Sequence, residues 1–582
     1  MLHPFSSVVT DPHPLIRASI RSMVDCVLSL GELPPTVTGE QHLLLWHHKQ
    51  RAPSDEVMSQ RQSGLAALVV DQLIHPHSNN TRLFNWLYDL TFARSWSAPI
   101  HLPHRGERTP DERSIELGSC AQGFLLALTA KMLESWIRQQ SETFFQSILD
   151  EIEHRLVRPF GNGAEVWWHP QPVPDNWMIN NWTGVCGGCL LGMCVILEQL
   201  GRHCGPARNR AIDAINLYLH RAFTPGGECD EGIGYWCYGM EMACMGLSQL
   251  DEQTLNHSID MDRLKQVADY PRRVHIDGPT FYASNDSRSD PRAPHLCSTW
   301  LARVTQNTFL ARWPELSGFD TPRGLAPVLA AYELQKFPSF SHSRDHDSHA
   351  GSSPRWLRDQ QILIYPRSND GTPITLCLEG GSNTESHNHN DLGQVQLFIR
   401  NHPVLIDPGL PQYIDGFFGK NRYLHLNPSS FGHNVPIIRQ TPQHADRQAR
   451  ADVVRVDPTT GTLCLDLTRA YPPEARLLRW LRQLDAASMQ VTDQIQLIEP
   501  GWVELCYWTT DDVNIVDHDC QVGEVQIVFS PKPVDTHVDP FTASDLMLRN
   551  VDPRKPYYRI RARFNGATFH IVTRFIVSIP SC

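Results

Sequence analysis

The spacing of the apolar residues changes once along this chain, near residue 340, and the two patterns demand different kinds of packing on either side of that point. From about residue 60 to 335 the apolar side chains recur at helical intervals. In "AQGFLLALTAKMLESW", Leu125, Leu128 and Met132 fall on one stripe, and in "YGMEMACMGLSQL" Tyr238, Met242 and Met245 do the same. The spacing predicts helices near 61–74, 82–93, 118–138, 141–157, 184–201, 206–222 and 235–250. Pro/Gly-rich connectors such as "RAFTPGGECDEGIG" join them. Successive antiparallel helix pairs suggest a solenoid or toroid, although no sequence repeat accompanies them.

Later runs are shorter and read as strands: "QILIY", "ITLCLEG", "QVQLFIR", "PVLIDPG", "TLCLDLT", "WVELCYW" and "FHIVTRFIV" among them. Val395, Leu397 and Ile399 alternate with Gln394, Gln396 and Phe398, the period of a pleated strand. The stretch 336–356, rich in Ser and His and without a period, reads as a linker. The expected fold class is therefore multidomain, α plus all-β: a helical domain over 1–335, the linker, and an antiparallel β-sandwich over 357–582.

A chain of 582 residues exceeds what one core usually serves, in keeping with that division. Its net charge of -12 argues against nucleic-acid or membrane-surface partners, which need a basic face. No run reaches eighteen apolar residues, so no membrane span is expected. The first thirty residues lack a basic stretch followed by an apolar one. A cytoplasmic protein is expected, or a secreted or periplasmic one if a signal has been trimmed. Fifteen cysteines, an odd number, point to free thiols rather than a disulfide framework. "CGGC", Cys186 to Cys189, has no βαβ context, so buried thiols in close helix packing are expected there.

Two polar clusters carry the chemistry. "TESHNHNDLGQ", 384–394, crowds His, Asn and Asp just before a strand, where a rigid sheet can aim them. On an extended backbone His387 and His389 face one side and can share a ligand. His389, Asp407 from "VLIDPG" and His433 from "NPSSFGHN" form a nitrogen and oxygen set suited to zinc. A hydrogen-bonded structural cluster is the alternative. A cupin would need Glu a few residues after the His pair, and position 393 is Gly. In the helical half, "DNWMINNWTG" sets Trp177, Asn180, Asn181 and Trp182 at a helix start, and "ECDEGIGYWCYG" sets Glu228, Asp230, Glu231, Tyr235, Trp236 and Tyr238 at another. Aromatic faces and amides gathered in this way suit carbohydrate; the structural reading is helix capping and packing.

Taken together, Asn181, "DEGIGYWCY", "HNHNDLG", "IDPG" and "SSFGHN" resemble the heparinase II/III superfamily of polysaccharide lyases. Fifty-four positions separate Asn181 from Tyr235, similar to the catalytic Asn and Tyr of heparinase III-like members. The resemblance covers roughly residues 90 to 435. It implies an incomplete (α/α) toroid followed by the sandwich, with a cleft between them. It implies catalytic Asn181, Tyr235 and His387, and a single structural zinc on His389, Asp407 and His433; His387 would face the substrate and His389 the metal. Trp182, Glu231, Trp236, Asn388, Tyr413 and Arg422 are the expected substrate contacts. Arg422 qualifies through its bidentate fork, which fits carboxylate or sulfate.

The implied activity is β-elimination on an anionic glycan containing uronic acid, of glycosaminoglycan type or alginate. Asn181 would neutralise the uronate carboxylate, Tyr235 would serve as acid and base, and His387 as base or neutraliser. Several alginate- and heparin-cleaving members carry His directly after the catalytic Asn, where this chain has Trp182, so that histidine is missing. A uronyl C5-epimerase and a non-catalytic glycan-binding protein are the alternatives. A glycoside hydrolase would need two opposed carboxylates, and Asp230 and Glu231 are adjacent. A homodimer is left open.

Overall fold

The computed structural model describes residues 25, 31–101, 115–318 and 353–578, apart from 49, 370, 415–416, 484–486 and 550. Most of the expected linker, 336–352, lies outside the described residues. The chain divides into two compact units. The first takes Met1–Phe223, Tyr235–Ala268 and Arg292–Arg344, and the second takes Thr224–Gly234, Asp269–Pro291 and Asp345–Cys582.

The first unit is helical, with helices at Ala52–Ile74, Thr81–Phe92, Leu117–Met132, Glu142–Ile152, Asn181–Gln199, Gly205–Arg221 and Ile233–Leu247. Caps fix several starts: Asn80 accepts from Leu83 N, Ser141 from Phe144 N, and Asn180 from Trp182 N. Glu116 caps its helix by accepting from Gly118 N and Ser119 N, while Ser119 Oγ accepts from Glu116 N. The stripe residues Leu125, Leu128 and Met132 are buried, as are Met242 and Met245, but Tyr238 is exposed. Helix Asn181–Gln199 is long and apolar enough to cross a membrane by composition, and 89% of its apolar window is buried inside the protein.

The glycines of "CGGC" serve a helix crossing. A Cβ on Gly188 would stand 2.3 Å from Met242 O, and one on Gly246 would stand 2.1 Å from Gly188 O. The two backbones touch there, and only glycine allows it. Cys186 and Cys189 are buried free thiols, pushed well above the usual range by burial.

The second unit is built on antiparallel sheets. Its smaller sheet runs Arg355–Leu357, Ile362–Asn369, Thr372–Glu379, Val395–Ile399, His402–Leu405, in sequence order. Its larger sheet is organised on two long strands, Ser488–Thr509 and Pro556–Val577, paired from Ser488↔Ile576 to Thr509↔Tyr558. Leu376, Leu378 and Leu397 share one buried core with Leu477, Val491, Ile527 and Phe575, so the two sheets pack face to face. Strand Val395–Ile399 is buried on both faces. Its polar position and the one just before it are therefore hydrogen-bonded inside: Gln396 donates to Ala283 O at 2.6 Å, and Gln394 accepts from Asn434 N at 2.6 Å.

Candidate active site

In the first unit, Asn181 opens its helix directly after the capping Asn180 and is itself buried. Trp182 packs against the rings of His101 and Trp167, each 4.8 Å away. Tyr235, half-buried, stands in the first turn of Ile233–Leu247. Gly239, one turn further, lies against Asn181: a Cβ there would be 3.4 Å from Asn181 Cβ and 2.2 Å from Tyr218 Oη. Residues four apart share a helix face, so the face that carries Tyr235 is the one turned to Asn181. Trp236 does not meet the expectation of a substrate contact. It is fully buried, donates to Val267 O at 2.9 Å and packs on Trp313, because its place in the helix points it into the core.

The second unit gathers its cluster around Asp286, a residue that the sequence reading passed over. Its buried carboxylate accepts from His387 Nδ1 at 2.7 Å, His389 Nε2 at 2.9 Å, Tyr413 Oη at 2.8 Å and Arg422 Nη2 at 3.2 Å. Burial alone would raise its pKa, but the two histidine hydrogen bonds and the charge of Arg422 hold it far below the usual carboxylate range. The only signal in the sequence is a short polar run, "SNDS", after "TFYA". The neighbouring Asn285 ties the same strap down, donating to Asp230 O and to Glu385 Oε2 and accepting from His389 N.

His387 and His389 do share one partner, yet not on an extended backbone. His387 has φ +59°, a left-handed conformation that costs a non-glycine residue about 1–3 kcal/mol. The turn lets the two imidazoles reach different oxygens of one carboxylate. Glu231 Oε2 lies 3.6 Å from His387 Nε2, and both Glu231 and Asn388 are buried. Asn388 donates to Tyr423 Oη at 3.2 Å. Two arms of the fork expected to grip an anion are engaged with the protein: Arg422 is buried, Nε donating to Asn388 O and Nη2 to His387 O and Asp286, while Nη1 is buried without a partner. Glu231, Asn388, Tyr413 and Arg422 thus surround the His387 loop, and Phe418 beside it faces solvent. That ring is 56% exposed and lies edge-on to His387, centroids 5.1 Å apart.

Behind this layer, His389, Asp391, Asp407 and His433 each offer a ligand atom within 4.8 Å of the others. Asp391 adds a fourth donor to the three read from the sequence. His389 Nδ1, His433 Nε2 and Asp391 Oδ2 are buried and lack hydrogen-bond partners. Burial lowers the pKa of His389, favouring the neutral imidazole that binds metals. Burial and the charges of Glu379, Asp407 and Glu385 push Asp391 well above the usual range, a field that a cation would relieve. Three orphaned donors of nitrogen and oxygen chemistry fit a divalent cation such as zinc. The surrounding bonds fix them: Asp407 Oδ1 accepts from Gly409 N at 2.8 Å, and the buried Arg479, paired with Asp493 at 2.7 Å, donates to Gly393 O and Asn434 O.

The fold is similar to that of heparinase III and of glycosaminoglycan lyases with a helical toroid and an antiparallel sandwich. A heparan sulfate lyase mutant of Pedobacter heparinus superimposes with a TM-score of 0.61 at 13% identity, over 97% of this chain and 84% of that one. A heparinase III gives 0.59 at 11% identity, over 100% and 94%. A chondroitin AC lyase of Streptomyces coelicolor, solved with chondroitin sulphate, gives 0.52 at 12% identity, over 99% and 80%. No protein-family model matches the chain, and no curated protein matches it in sequence.

Proposed function

We propose that this protein is a polysaccharide lyase that cleaves glycans containing uronic acid by β-elimination, with glycosaminoglycans such as heparan and chondroitin sulfate as the substrate class. The observation that carries this reading is the His387 imidazole, anchored through Nδ1 to a buried carboxylate, in a chain whose fold is similar to these lyases over nearly its whole length.

Elimination needs three things. The uronate carboxylate must be neutralised, because abstraction of the C5 proton otherwise builds a second negative charge beside it; Asn181 donates to it through its amide. A base must take the C5 proton; His387 Nδ1 is bonded to Asp286, so the ring atom for that task is Nε2, which lies 3.6 Å from Glu231 Oε2. The C5–H electron pair becomes the C4–C5 double bond, the bond from C4 to the glycosidic oxygen breaks, and Tyr235 supplies that oxygen with a proton. Tyr235 can exchange roles with His387 as base, since a phenol serves either way. His389, Asp407 and His433, with Asp391, would hold a zinc ion, whose contribution is the positive charge that keeps the His387–Asp391 loop in shape.

Incubation with heparan, chondroitin, hyaluronan and alginate oligosaccharides tests the reading. An unsaturated uronate, seen by its ultraviolet absorbance, is expected from at least one of the glycosaminoglycans. Exchange of the C5 proton with solvent deuterium without such absorbance would instead identify an epimerase, and binding without either would leave a glycan-binding protein. Tyr235→Phe should reduce turnover to background with binding retained; wild-type rates in that variant would remove Tyr235 from the mechanism.

A further inference from the structure

His101 is a histidine that the proposed chemistry does not use, and its surroundings are built. Its Nδ1 is paired with Glu116 Oε2 at 2.5 Å, and that carboxylate is almost fully buried. Glu116 also accepts from Gly118 N at 2.9 Å and Ser119 N at 2.7 Å, so its charge is offset at the start of its helix. With Nδ1 engaged, Nε2 is the ring atom left to meet a ligand. The His101 ring packs 4.8 Å from Trp182, which packs on Trp167, and Trp177 Nε1 donates to Trp167 O at 2.8 Å. Trp167 is 47% and Trp177 39% exposed, a large apolar surface to leave open, joined to the imidazole through Trp182.

The support beneath is rigid. Trp168 Nε1 donates to Ile115 O at 3.0 Å, next to Glu116, and Trp168 O accepts from Thr183 Oγ1 at 2.6 Å, next to Trp182. One buried tryptophan thus joins the segment that orients His101 to the helix that carries Asn181 and Trp182.

We propose that His101 and the faces of Trp167 and Trp177 form a subsite for an acidic sugar unit, recognised by its carboxylate or sulfate group. The indoles stack on the apolar face of the ring. His101, on taking a proton at Nε2, donates to the anionic substituent, with Glu116 as the positioning residue that holds the imidazole in register. The inference deepens the proposed function and rests on it for the class of glycan.

Binding of a sulfated, uronate-containing tetrasaccharide to the full chain carrying Tyr235→Phe tests it by calorimetry, alongside desulfated and carboxyl-reduced versions. Adding His101→Ala should weaken binding of the charged tetrasaccharide about tenfold and change that of the doubly neutralised one less than about twofold. Whichever single neutralisation removes the His101 effect identifies the group recognised. Trp167→Ala should weaken charged and neutral ligands alike. Glu116→Gln, which keeps an acceptor for the helix cap, should weaken only the charged ligand and shift the His101 ring nitrogen resonances. Unchanged binding in His101→Ala, or equal loss for charged and neutral ligands, overturns the subsite. Because binding is read without turnover, an unsaturated product with no His101 effect sinks the subsite and spares the lyase reading. A His101 effect with no product does the reverse.

Discussion

At Asp286, donors from two histidines, a tyrosine and an arginine meet one buried carboxylate, and their geometry depends on its remaining charged. Asp286→Asn keeps the size but turns one oxygen into a donor that faces other donors. Steady-state rates should fall about 10–100-fold, the usual cost of disturbing a residue that orients ligands and catalytic groups. Denaturant titration should show a loss of roughly 3–5 kcal/mol, because Arg422 loses its counter-charge while buried. His295 makes a second residue-scale prediction. Unfolded, its imidazole takes a proton as pH falls through about 6.5. Folded, burial holds it neutral down to about 4. The unfolded state therefore binds more protons in that window, and stability falls as the solution becomes acid, by up to about 3 kcal/mol. In His295→Gln, that part of the acid loss between pH 7 and 4 should vanish from urea midpoints.

Among the elements, the crossing of Asn181–Gln199 with Ile233–Leu247 matters most to the first unit, since it brings the helix of Asn181 against the helix of Tyr235. Its contact is backbone on backbone at Gly188 and Gly246. Gly188→Ala should cost about 2–3 kcal/mol in urea unfolding, because a main-chain carbonyl cannot step aside as a flexible side chain does. Gly39→Ala, where a Cβ meets nothing within 4 Å, is the control and should be neutral or slightly stabilising. Gly188 belongs to "CGGC", whose small residues signal close helix packing in the sequence. The helices themselves were legible because their apolar stripes are long. Tyr238 was misread as part of a stripe, since helical spacing alone cannot tell a residue facing the core from an aromatic left exposed.

For the molecule as a whole, the candidate metal cluster is the feature on which stability and site geometry meet. A cation present at one hundred times its dissociation constant stabilises the folded state by about 2.7 kcal/mol. Stripping it with a zinc chelator should lower the melting temperature on the order of 5 °C and release one equivalent of zinc by elemental analysis. His433→Ala should abolish that response. Asp391 is the donor that the sequence did not single out: His389 and Asp391 precede one strand, Asp407 follows the next, and His433 lies in a turn after a short helical segment.

The sequence by itself determined the change from helix to strand, the free buried thiols, the capped start at Asn180 and the residues His389, Asp407 and His433, because each leaves a local mark: a period, a cap, or a donor in a tight polar run. Tertiary structure alone decided that Trp236 packs in the core and that Arg422 turns its Nε and Nη2 to the protein. It alone brought Asp286 beneath both histidines, across about one hundred residues of chain. The physical reason is that burial and hydrogen-bond partnership belong to the packed molecule, and a side chain's type fixes only what it can bond, not what it meets.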